Sequence, residues 1–274
     1  MKEAYLILEN GKVFTGKSFG YEGDATAEMV FTTAMTGYLE TLTDPSFFGQ
    51  FVIQTFPQIG NAGVIPSDFE SKKPHLKGYI VREWCQEPSN FRCEGVLDTF
   101  LKEHRIPGIC GIDTRELTKL VREYGEMNAR ITTTADFGED VCKEIAAYRI
   151  ENAVAQVSCA SPARYSAENA VHHVALWDFG TKESICLELQ RRGCDVTVMP
   201  ASSTAEEILA LKADGLVLCG GPGDPSHNMG AVEELKKLLA CRIPTFGISL
   251  GHQLLAMANG AKIARLKYGH RGAN

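Results

Sequence analysis

The sequence predicts an α/β protein: an N-terminal mixed α+β domain followed by a parallel-sheet α/β domain. Three observations carry that expectation. At 274 residues the chain exceeds the usual size of a single domain. Its first half sets runs of β-branched and aromatic residues between Gly, Asp and Pro, the pattern of strands broken by turns. From Val171 onward, apolar strands alternate with helical stretches of about ten residues, which implies a parallel sheet covered on both faces.

In the first half, residues 4–8, 29–33, 51–56 and 78–83 read as strands. Helices are expected over 95–104 and 114–124, the second with Asp113 capping its first turn and Gly125 closing its last. Between about 151 and 170 the periodicity fades into small and polar residues, including Ser158-Cys159-Ala160-Ser161-Pro162. A linker over 153–170 is therefore expected, dividing residues 1–152 from 171–274. Beyond it the strands are 174–178, 195–199, 215–219 and 244–248, and the helices 182–192, 204–212, 231–239 and 251–259. Residues 262–268 look strand-like again. Because the sequence stops at Gly272-Ala273-Asn274 straight after them, the second domain is expected to be incomplete at its C-terminus.

Composition narrows the function classes. With 44% hydrophobic and 23% charged residues and no apolar run of bilayer length, a membrane segment is not expected. The N-terminus Met1-Lys2-Glu3-Ala4 lacks the features of a secretory signal, and Glu3 and Glu9 argue against a transit peptide, so a cytoplasmic location is the expectation. The nine cysteines contain no Cys-x-x-Cys pair, which leaves no zinc-ribbon or redox motif, and no metal set is expected. A net charge of −6 without a dense Lys/Arg block weighs against nucleic-acid binding. Small molecules and protein partners remain.

Ligands on parallel sheets sit beyond the carboxyl ends of the strands, which directs attention to the loops after Cys219 and Ile248. Gly247-Ile248-Ser249-Leu250-Gly251 has the G-x-S-x-G form of a nucleophile elbow, with a strand before it and a helix after it. Such a turn pushes the central side chain out over the sheet edge. It also sets the Leu250 N–H at the first turn of a helix, where unpaired amides favour a developing oxyanion. Gln253 lies four residues on and turns to the same face. The bland alternative is a tight turn with a hydroxyl cap. The second loop, Gly220-Gly221-Pro222-Gly223-Asp224-Pro225, supplies glycines at 221 and 223 that let a ligand approach main-chain N–H donors. It lacks the spacing of a dinucleotide fingerprint.

Gly247-Ile248-Ser249-Leu250-Gly251-His252-Gln253 resembles the elbow of the class I glutamine amidotransferases, Gly-x-Cys-x-Gly-x-Gln, at every position but the nucleophile. Further segments narrow the resemblance to the carbamoyl-phosphate synthase small chain. These are Thr36-Gly37-Tyr38-Leu39-Glu40, Leu42-Thr43-Asp44-Pro45-Ser46, Gly60-Asn61, Gly111-Ile112-Asp113-Thr114-Arg115, Asp178-Phe179-Gly180-Thr181-Lys182 and Gly269-His270-Arg271-Gly272. The resemblance implies a class I glutamine amidotransferase-like second domain and a glutaminase subunit that hands ammonia to a large synthase subunit. That partner would make carbamoyl phosphate for pyrimidine and arginine biosynthesis.

By the same resemblance Ser249 stands at the position of the attacking cysteine, with Leu250 and Gly221 as oxyanion-hole amides. Ser46, Gly221, Gly223, Leu250 and Gln253 match positions that hold glutamine. Ser46 would reach the site from the first domain, so the site is expected where the domains meet. No cofactor is expected on this chain, with ATP and magnesium on the large subunit; no Gly-x-x-x-x-Gly-Lys-Ser/Thr loop occurs here.

Two departures bear on activity. A serine hydroxyl needs a well-placed base where a thiol can act as thiolate, and the family's His and Glu are expected beyond residue 274. His252 and His270 are read as structural, so the chain as it stands is expected to be inactive. Two other classes stay open: an α/β serine hydrolase, which needs an acid and a His downstream of the serine, and a non-catalytic glutamine-binding or scaffold chain.

Overall fold

A computed structural model describes residues 1–135 and 138–270. The elements of the first part are β1 (Glu3–Leu8), β2 (Val13–Gly20), β3 (Ala25–Thr32), α1 (Tyr38–Thr43), β4 (Gln50–Gln54), β5 (Gln58–Ile59), β6 (Gly78–Ile80), β7 (Glu83–Trp84), α2 (Leu97–Glu103), β8 (Pro107–Cys110), α3 (Thr114–Tyr124), β9 (Met127–Thr132) and α4 (Glu139–Ala147). There follow α5 (Ala153–Val157), β10 (Ala163–Tyr165), β11 (His172–Asp178), α6 (Glu183–Arg191), β12 (Cys194–Pro200), α7 (Ala205–Ala210), β13 (Gly215–Leu218), α8 (Met229–Ala240), β14 (Thr245–Gly247) and α9 (Leu250–Ala258). Two compact units result. The first comprises Met1–Thr43, Gly49–Ile150 and the described residues from Arg265 on; the second comprises Asp44–Phe48 and Glu151–Ala264.

The first unit is a closed barrel in the order β1-β2-β8-β6-β4-β3-β9. Closure leaves the barrel itself without an edge strand, while β5 and β7 pair as a separate two-stranded sheet. Antiparallel pairs flank β1, whereas β3, β4, β6 and β8 pair in parallel. Leu6, Met29, Phe51, Ile53, Ile80 and Ile109 fill its core. A Cβ at Gly78 would lie 2.6 Å from the Phe51 ring, so glycine there leaves room for that ring. On α3 the Asp113 carboxylate accepts from Glu116 N–H at 2.9 Å, and Gly125 closes the helix at φ +98°. The strand-like run 262–268 is not a strand. Its residues join no ladder; Arg265 instead pairs with Glu28 at 2.8 Å and Glu126 at 2.6 Å, and Glu126 N–H bonds Lys267 O at 3.2 Å. The strand expected over 78–83 is interrupted after Ile80, and Glu83 pairs separately with Gln58.

The second unit is a five-stranded sheet in the order β10-β12-β11-β13-β14. β12, β11, β13 and β14 are parallel, while β10 joins as an antiparallel edge strand. Residues 153–170 are thus not a bare linker. They contain α5, whose Ala153 and Val154 are buried, and β10, which extends the sheet. Trp177, Phe179, Val196, Leu218, Leu235 and Leu254 lie in this core. Thr204 caps α7 in a reciprocal capping box with Glu207, whose carboxylate returns to the Thr204 N–H at 2.8 Å. The carboxyl ends of β11, β13 and β14 lead into residues 178–182, 219–225 and 248–250. Of the segment Gly269-His270-Arg271-Gly272, Arg271 and Gly272 lie outside the described residues, as do Ala273 and Asn274.

Candidate active site

Ser249 sits between β14 and α9 at φ +50°, ψ −114°. This is outside the regions that an L-residue adopts without strain, as a strand-to-helix elbow requires. Its side chain makes no cap hydrogen bond to α9 and the residue is exposed, so the hydroxyl is not spent on capping the helix. Both flanking glycines are sterically required. A Cβ at Gly247 would lie 2.7 Å from His252 Cα, and one at Gly251 would lie 2.4 Å from Leu218 O, in each case against main chain. Ile248 N–H donates to Leu218 O at 2.9 Å and Gly251 N–H to Cys219 O at 3.0 Å, which stitches the elbow onto the end of β13.

The glycine loop after β13 passes directly beside this elbow. A Cβ at Gly220 would lie 3.4 Å from Ser249 Cβ and 3.9 Å from the hydroxyl oxygens of both Ser249 and Ser46. The two hydroxyls therefore flank one point. Gly221 stands beside Leu250: its Cβ would meet Leu250 Cδ2 at 3.1 Å. Gly223 is left-handed at φ +84°, and its Cβ would meet Ala153 Cβ at 3.2 Å. Gln253 is one turn into α9, and its N–H donates to Ser249 O at 3.0 Å. Ser249, Leu250, Gly221, Gly223, Gln253 and Ser46 all belong to the second unit. Ser46 does so although it precedes most of the barrel in sequence, because Asp44–Phe48 packs with this unit.

Sequence reasoning assigned no role to the residues that hold Ser46. Asp44 caps the short 3-10 turn Pro45–Phe47 by accepting from Ser46 N–H at 2.8 Å, and its other oxygen lies 3.6 Å from Lys182 Nζ. The only sequence signal was the Asp-Pro-Ser run, which is a turn signature. His252 is exposed on α9.

The nearby thiols do not replace the missing cysteine. Burial, and then the charge of Asp178, push Cys219 and Cys186 up to about 12. Cys159 is likewise pushed up to about 12 by burial and by Asp178. All three stay protonated at neutral pH and are poor nucleophiles. Among the described residues no group of His, Cys, Asp and Glu is arranged to hold a metal ion, and no helix is long and apolar enough to cross a membrane. In the first unit a cavity of about 340 Å³ is lined by Tyr38, Gln54, Phe56, Gln58, Ile59 and Asn61 among others.

An α/β sheet whose β12, β11, β13 and β14 are parallel thus carries a strained elbow at the end of β14 beside a glycine loop at the end of β13, the layout of an amidotransferase-type α/β domain. Residues 175–274 match the sequence model of glutamine amidotransferase class-I, and residues 6–131 match that of the carbamoyl-phosphate synthase small chain, CPSase domain. The chain is 48% identical over 269 residues to the carbamoyl phosphate synthase small chain of Bacillus cereus, covering 98% of this chain and 73% of that protein. It is 47% identical over 272 residues to the one of Clostridium perfringens (99% and 77%) and 46% identical over 275 residues to the one of Listeria monocytogenes (100% and 75%). This chain belongs to the carbamoyl-phosphate synthase small chain family.

Proposed function

We propose that this chain is the glutamine-handling subunit of a carbamoyl-phosphate synthase. Glutamine enters with its side-chain amide over residue 249. Attack on that amide carbonyl would develop negative charge on its oxygen, toward the N–H groups of Leu250 and Gly221. The C–N bond would then break, the proton of the attacking hydroxyl passing to the leaving nitrogen so that ammonia departs, and water would hydrolyse the γ-glutamyl ester to glutamate and the free hydroxyl. Ser46, Gly223 and Gln253 hold the substrate. The observation that carries this reading is the strained Ser249 elbow with Gly221 against Leu250 and the Ser46 hydroxyl at the same point.

With serine at position 249 the attacking group is a hydroxyl that needs a base, so this form binds glutamine and hydrolyses it at background rate. The ammonia-using chemistry resides on the large synthase subunit, which carries ATP and magnesium, and this chain needs no cofactor. The complex works in the cytoplasm, in pyrimidine or arginine biosynthesis. Calorimetric titration with glutamine tests the reading. Ser46→Ala should weaken binding roughly 3- to 10-fold, the worth of one hydrogen bond. Absence of glutamine binding, together with labelling of Ser249 by a fluorophosphonate, would replace it with a serine hydrolase.

A further inference from the structure

We propose that Asp178 and Cys219 are positioning residues that fix the Gly221 amide, a role that rests on the glutaminase reading of the site. Asp178 ends β11 and is buried. One carboxylate oxygen accepts from Gly180 N–H at 2.9 Å and Thr181 N–H at 2.8 Å, and the other from Cys159 N–H at 2.7 Å. These bonds close the Phe179–Gly180 main chain into a tight loop with Gly180 at φ +134°.

The glycine loop rests on that loop, backbone against backbone. A Cβ at Gly221 would lie 2.1 Å from Phe179 O, and one at Gly180 would lie 3.1 Å from Gly221 Cα and 3.2 Å from Pro222 Cδ. No side chain intervenes to absorb a shift. Cys219 adds a second tie: its sulfur accepts from Phe179 N–H at 3.0 Å and donates to Gly220 O at 3.0 Å. Because Cys219 O also receives Gly251 N–H, both oxyanion donors of the proposed function, Gly221 and Leu250, flank groups that this pair anchors. Asp178 and Cys219 are both buried, and neither is among the residues assigned to hold the substrate. An N–H aimed at a developing oxyanion must be held to a fraction of an ångström before the reaction, which is the work of such supporting groups.

The test uses this chain labelled with ¹⁵N,1-¹³C-glycine; Gly221 is the one glycine that follows another glycine, so its cross-peak is assigned by its coupling to the labelled Gly220 carbonyl. Asp178→Asn alters the acceptor of Gly180 directly, so the Gly180 cross-peak moves in any case. The expectation is that the Gly221 cross-peak moves too, while those of Gly215 and Gly230, remote from the loop, stay in place. At saturating glutamine the parent's Gly221 shift should be lost or reduced several-fold in the variant, with the Gly251 shift retained. A Gly221 cross-peak that superimposes on the parent while Gly180 moves overturns the proposal. Should Asp178→Asn fail to fold, Cys219→Ala and Cys219→Ser decide: alanine should displace the Gly221 cross-peak and serine, which can still accept and donate, should restore it. Unchanged Gly221 in Cys219→Ala overturns the proposal equally. If glutamine moves no glycine in the parent, the glutaminase reading fails, and the ligand-free spectra still report whether Asp178 and Cys219 set Gly221.

Discussion

The backbone at Ser249 stores strain that can be measured. Held at φ +50°, ψ −114°, a non-glycine residue costs about 1–3 kcal/mol. Ser249→Gly removes that cost and introduces the extra chain entropy of glycine, about 0.5–1 kcal/mol. The net is a stabilisation of about 1 kcal/mol. Ser249→Ala is the control, because it deletes the same exposed hydroxyl and keeps the strain; it should leave stability within about 0.5 kcal/mol of the parent. Trp177, fully buried in the second unit, reports unfolding there by fluorescence, whereas Trp84 belongs to the first unit. With a urea m-value of about 2 kcal/mol/M, the glycine variant should unfold about 0.5 M later than the alanine variant. If the two variants share one midpoint, the elbow is not strained and the structural basis for an exposed nucleophile position is lost.

Further outcomes follow from the same geometry. Gly251→Ala drives a Cβ to 2.4 Å from Leu218 O and should destabilise the second unit by about 3 kcal/mol, at the upper end of overpacking costs, measurable by the same urea titration. Asp113→Ala removes the α3 cap and should lower the stability of the first unit at neutral pH, read as an earlier urea midpoint. The Glu116 N–H holds the Asp113 carboxyl below its ordinary range, so the stabilisation is complete above the unfolded value near 4 and disappears as the pH falls through the depressed folded value; the difference between parent and variant should shrink along that acid limb. Iodoacetamide at neutral pH should alkylate exposed Cys241 ahead of Cys219, Cys186 and Cys159, whose thiols are held protonated; mass mapping of the native protein reads this out.

What could be read in the sequence was what local chemistry determines. Thr114–Tyr124 is a helix because its apolar stripe and both caps lie within a few residues of one another. The glycines at 247 and 251 were legible because an elbow demands small residues at that spacing, and the Cβ contacts give the reason. The barrel was harder. β8 (Pro107–Cys110) is short and opens on Pro-Gly, and β9 mixes Asn128 and Arg130 with apolar residues; both are strands because neighbours distant in sequence supply their ladders. Residues 262–268 have strand-like composition but no such neighbour, and Arg265 anchors them through its ion pairs instead. In the candidate site, Ser249 and Leu250 follow from the elbow spacing, whereas the oxyanion role expected of Gly221 comes from the family resemblance. The Asp44–Lys182 pair behind Ser46, and the hold of Asp178 on the loop beneath Gly221, join segments far apart in the chain and have no local signature.

The central claim is that Ser249 occupies the nucleophile position of a glutaminase site. Its most direct test is carbamoyl phosphate formation by the protein carried through the full length of its relatives and joined to the large synthase subunit, with glutamine or free ammonia as nitrogen source, for Ser249 and Ser249→Cys side by side. A thiolate at the attack position should bring glutamine-dependent synthesis up from background by about 10²-fold or more, while the ammonia-dependent rate stays the same in both forms. Equal glutamine-dependent rates in the serine and cysteine forms would contradict the assignment of position 249.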